Sequence, residues 1–116
     1  KLAGKRLSVD KIEECILLSD SVKYVYITTE VNKTEKIVLV LFLDSVLNKE
    51  NFCINDFLFS QIDKVKFLNI IQNIPFNLYF TFSEIPTLIN SKIDFKKIER
   101  SIRENIKNEK SLHIRL

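Results

Sequence analysis

Seven consecutive apolar residues, Ile37-Val38-Leu39-Val40-Leu41-Phe42-Leu43, constrain this chain more than any other stretch. A strand with one wet face alternates polar and apolar side chains; this run does not, so it is predicted to lie mid-sheet with both faces covered. Upstream, Val22 to Thr29 is rich in β-branched and aromatic residues and is separated from the run by the polar break Asn32-Lys33-Thr34-Glu35, which together read as a hairpin. A third strand is predicted at Leu78-Tyr79-Phe80-Thr81-Phe82, where large apolar residues alternate with Tyr and Thr.

Helical spacing fills the remainder. Ser8 is a good N-cap for a helix over Val9 to about Ser19, with Val9, Ile12, Cys15 and Ile16 on one face and Asp10, Glu13 and Glu14 placed early, where the helix dipole favours acids. A second helix, capped by Asn55 or Asp56, carries Leu58, Ile62, Val65, Leu68 and Ile71 and stops before Pro75. Asp94 caps a third, running to about Asn108, with Phe95, Ile98, Ile102 and Ile106 on its apolar face. The expected fold is α+β: a small mixed sheet of about three strands plus a short N-terminal hairpin, packed with about three helices in one domain over residues 1–116. Phe52, Phe57, Phe59, Phe67 and Phe76 are expected to be mostly core.

With 46% hydrophobic residues in 116, the chain has enough apolar material for one core. There is no apolar run of membrane-spanning length and no charged-then-apolar leader, so an intracellular, cytoplasmic protein without a membrane span is expected. Cys15 and Cys53 form no CxxC pair and His113 is the one histidine, so neither a metal site nor a disulfide framework is expected. Cys15 reads as a buried thiol and His113 as a surface or packing residue. The formal charge of +3 is uneven: residues 92–116 hold eight Lys or Arg against four acids, residues 1–91 ten against eleven. Such a basic end either meets phosphates or is the solvated face of the last helix.

The chemistry-bearing stretch joins the third strand to that helix: Ile85-Pro86-Thr87-Leu88-Ile89-Asn90-Ser91-Lys92-Ile93-Asp94. Pro86, five residues, Lys92, an aliphatic residue and Asp resembles the signature of the C-terminal domain of the adenylate-forming enzymes (acyl-CoA synthetases, peptide-synthetase adenylation domains, luciferases). Asn90-Ser91-Lys92-Ile93-Asp94 is similar to that family's Asn-Gly-Lys-Ile-Asp, with Ser91 in the place of Gly. At the other end, Lys1, Gly4, Arg6, Leu7, Ile12 and Glu13 resemble the family's Gly-containing loop and the helix after it, and Ile74-Pro75 and Ile85-Pro86 its two later prolines. Gly4 is the one glycine in the chain, so a plain tight turn between two short strands accounts for it equally well.

The resemblance implies an ATP-dependent, AMP-forming acid–thiol ligase, with Mg2+-ATP and CoA or a phosphopantetheinyl carrier protein as co-substrates. It implies Lys92 as the catalytic residue of adenylate formation, and Gly4, Lys5 and Arg6 on the face that meets pantetheine during thiolation. A chain opening on Lys1 without Met is then expected to be the mobile end of a longer protein. Its partners would be a large preceding domain of that protein and, where a carrier protein is the acceptor, an acyl carrier protein, without nucleic acid, and residues 1–116 alone would be inactive. Two alternatives stand beside it. One is a non-catalytic relative that binds a protein partner, which Ser91 in place of Gly favours. The other is a small nucleic-acid-binding domain using the basic helix, for which the interleaved aromatic platform is missing.

Overall fold

A computed structural model describes residues 7–31, 35–108 and 111–116. Its element order is α1 (Val9–Ile16), β1 (Val22–Val31), β2 (Glu35–Leu43), α2 (Ile54–Gln61), α3 (Lys64–Ile70), β3 (Phe76–Thr81) and α4 (Phe95–Asn108), with a short 3-10 turn at Ser45–Leu47. The three strands form one mixed sheet in the order β1-β2-β3. β1 and β2 pair antiparallel, Val25 opposite Leu41 and Ile27 opposite Leu39, whereas β2 and β3 run parallel, Leu39 opposite Leu78 and Leu41 opposite Phe80. Among the described residues the fold is therefore α+β with a three-stranded mixed sheet and four α-helices. The short N-terminal hairpin expected around Gly4 falls outside the described residues.

The apolar run is the central strand, and Ile37 to Leu43 are all buried. Its odd-numbered side chains, Ile37, Leu39, Leu41 and Leu43, join a core under α1, α2 and α3 with Ile12, Ile16, Leu58, Phe67 and Ile71. Its even-numbered side chains, Val38, Val40 and Phe42, join a second core under α4 with Tyr26, Tyr79, Ile98 and Ile102. Alternation in side-chain direction thus serves two apolar layers, which is why no polar residue interrupts the run.

One predicted helix is two. The pattern from Leu58 to Ile71 breaks at Ile62, which is extended (φ −129°, ψ 157°) and buried. Asp63 then caps α3 by accepting a hydrogen bond from the Lys66 amide at 3.2 Å. An interior reading of Asp63 loses to its stronger preference for an N-cap. The break turns the chain so that Leu58 of α2 and Phe67 of α3 both reach the same core. Cys53, and neither Asn55 nor Asp56, is the N-cap residue of α2, and it makes no side-chain capping bond. Farther on, Gln72 and Asn73 take positive φ (56° and 57°), and the Asn73 amide returns to the Leu68 carbonyl to close α3 ahead of Pro75.

All five phenylalanines named above belong to the core or pack against it, and only Phe67 is fully buried. Cys15 is buried, and burial pushes its thiol pKa up. The tail at 112–114, whose role sequence alone does not reveal, lies beside β3: the Phe80 amide donates to the Leu112 carbonyl at 2.9 Å and the Ile114 amide to the Phe80 carbonyl at 2.8 Å. His113 stacks on Phe80 with ring centroids 4.8 Å apart. It is a packing residue, and burial, then Arg115, holds its pKa below the usual histidine value. Among the described residues no helix is long and apolar enough to cross a membrane.

Candidate functional site

The stretch between β3 and α4 is a turn closed by its own backbone. The Leu88 amide donates to the Lys92 carbonyl at 2.7 Å and the Ser91 amide to the Leu88 carbonyl at 3.0 Å, while Thr87 and Ile93 face each other as an antiparallel bridge. This is the three-residue hairpin connection, a β-turn followed by one residue in the left-handed region. That residue is Ser91, at φ 67°. Ser91 therefore occupies a conformation that glycine reaches freely and that serine adopts with strain on the order of 1 kcal/mol. Ser91→Gly is accordingly expected to stabilise the domain by about 0.5–1 kcal/mol, read as a rise of about 2–4 °C in melting midpoint. An unchanged or lower midpoint would show that the serine is not strained.

The base of the turn is fastened on both sides. Ile85 and Ile93 are half-buried against the core under α4. The Asp94 amide donates to the Pro86 carbonyl at 2.8 Å, and the Asp94 carboxylate accepts from the Lys97 amide at 3.1 Å, making it the N-cap that the sequence predicts for α4. Asn90 accepts from the Lys92 amide through Oδ1 at 3.2 Å, a role that its place in the motif does not announce. The preference of Asn for bonding the backbone two residues on was the available signal.

Lys92 follows this turn directly and is exposed. Among the described residues it makes no ion pair. Its backbone is thus set by local bonds while its ammonium faces outward. At the tip, Leu88 is 47% exposed and Ile89 fully exposed, an apolar pair standing in water beside the lysine. Gly4, Lys5 and Arg6 lie outside the described residues, so Lys92 is the candidate site residue whose surroundings the structure describes.

The flanks of α4 differ from the sequence expectation in one respect. Phe95, assigned to its apolar face, is 48% exposed and leans on Tyr26 with ring centroids 5.9 Å apart. The Tyr26 hydroxyl donates to Glu99 Oε1 at 2.7 Å, and burial together with that bond pushes the phenol up to about 12. Tyr26 is therefore a neutral donor that ties β1 to the first turns of α4. Among the described residues no three His, Cys, Asp or Glu side chains gather as a metal-holding group.

No protein-family model, no curated protein and no solved structure matches this chain.

Proposed function

We propose that this chain is the C-terminal domain of an AMP-forming acid–thiol ligase, in which Lys92 promotes formation of the acyl-adenylate. The observation that carries this is the turn from Pro86 to Lys92: it has the spacing of the family signature, its serine holds the conformation glycine would take, and it leaves an unpaired, outward-facing ammonium immediately before a capped helix.

Such a reaction joins a carboxylate to the α-phosphate of Mg2+-ATP and expels pyrophosphate. Its difficulty is charge, because two anions must approach while negative charge gathers on the α-phosphate oxygens. An ammonium held between them opposes that repulsion, and one such pair at about 4 Å in an effective dielectric near 20 contributes about 4 kcal/mol before desolvation. An exposed, unpaired lysine on a pre-formed turn enters such a site without breaking any existing contact. The exposed Leu88 and Ile89 travel with it and supply apolar surface for the body that receives the loop.

The second half-reaction passes the acyl group from the adenylate to the thiol of CoA or of a phosphopantetheinyl carrier protein. We assign Gly4, Lys5 and Arg6 to that step on the resemblance of residues 1–13. Gly4→Leu is expected to spare adenylate formation and slow transfer to pantetheine; an unchanged transfer rate would remove the assignment.

The proposal is tested by a pyrophosphate-exchange screen of the full-length protein over fatty, aryl and amino acids. Exchange that depends on one acid class supports it, and its absence throughout favours a non-catalytic relative that binds a protein partner.

A further inference from the structure

The outer ridge of α4 carries charge that the Lys92 chemistry does not use. Lys96, Arg100, Arg103 and Lys107 recur at intervals of four, three and four residues. At about 100° per residue they fall within about 60° of one another, in a line about 16 Å long. That line lies on the side of the helix away from buried Ile98 and Ile102. All four are exposed, and among the described residues none is in an ion pair. Glu99 and Glu104 stand about 70° to either side of the line, and Glu99 is drawn toward the sheet by its bond to the Tyr26 hydroxyl. Exposed Lys97 stands on the Glu104 flank near the start of the line, so beyond its first turn the ridge is one side chain wide and edged by an acid on each flank.

We propose that this ridge docks an acidic α-helix presented by a partner protein; the proposal is independent of the ligase activity. A helix carrying Asp or Glu at the same four-three-four interval offers one carboxylate to each cation along the whole line and remains inside the flanking acids. A nucleic-acid duplex or an anionic membrane is wider and brings its negative charge over Glu99 and Glu104 as well. A single nucleic-acid strand is narrow enough, but it relies on aromatic faces beside the cations. The ridge has none, and the nearest ring on α4, Phe95, leans on Tyr26.

The test is a fluorescence-anisotropy titration of the full-length protein. One labelled helical peptide carries Glu at the four-three-four interval, and an isomer of identical composition has its glutamates spread around the helix. The aligned peptide is expected to bind about tenfold or more tighter than the isomer. Its binding is expected to weaken as salt is raised, and to fall about tenfold in Arg100→Glu/Arg103→Glu. Because both arginines are exposed, the fold should survive; if it does not, Arg100→Gln/Arg103→Gln is expected to give a smaller loss in the same direction. Equal binding of the two peptides, no binding of either, indifference to both double variants, or tighter binding of duplex DNA or phosphatidylserine vesicles than of the aligned peptide would each overturn the proposal.

Discussion

On the proposed ligase function, Lys92→Ala in the full-length protein is expected to slow ATP-dependent adenylate formation by about two to three decades, with a much smaller effect on thioester formation from pre-made adenylate. The size follows from the charge it removes: about 4 kcal/mol of attraction before desolvation, at about 1.4 kcal/mol per decade of rate. The selectivity follows from chemistry, since the carboxylate and the polyphosphate meet only in the first half-reaction. Lys92→Arg keeps the charge but replaces a compact ammonium on a flexible stem with a planar fork, so partial activity is expected. Stopped assays of each half-reaction, with and without supplied adenylate, make the measurement. Equal loss in both halves would deprive Lys92 of its specific role. The exposed side chain contributes little to packing, so the melting midpoint should not move, and a changed fold cannot stand in for changed chemistry.

The largest effect on stability is expected from Phe67→Ala. Phe67 is fully buried at the centre of α3, with its ring 5.7 Å from that of Phe59 and 5.4 Å from that of Phe76. Truncation removes the burial and leaves a cavity that α2, α3 and β3 close only in part, at a cost of about 3–5 kcal/mol. Against a total stability of about 5–15 kcal/mol that is a large share, and urea unfolding should show it as a lowered midpoint at unchanged slope. Val65→Ala, two residues away on the 69%-exposed side of the same helix, is the control and should change stability by less than about 0.5 kcal/mol. If the two variants lose equally, Phe67 is not the residue that seats α3.

The sequence was most informative where local pattern and tertiary demand agree. Ile37 to Leu43 had no polar residue because both faces of β2 are covered, and Asp94 with Ile98 and Ile102 marked the start and the inner face of α4. Legibility failed where two local preferences competed. Apolar spacing argued for one helix through Ile62 and Asp63, and the capping preference of Asp63 broke it. Phe95 keeps the spacing of the apolar face but sits at its rim against Tyr26, a contact set by the sheet and absent from the helix pattern. The pairing of the tail with Phe80 joins residues far apart in sequence, and five residues of tail hold no period from which to infer it. At the site, the spacing of Pro86 and Lys92 was readable directly. The left-handed backbone at Ser91 was not, because serine does not announce positive φ as glycine does.

The connectivity of the sheet bears on how the loop comes to be in place. β1 and β2 are neighbours in sequence, so their pairing closes a short loop. β3 reaches its parallel position only after residues 44–75 have crossed over, and joining ends that far apart costs more chain entropy. The lysine turn hangs from that strand, so its location in space depends on the crossover of residues 44–75 and not on the short hairpin loop alone.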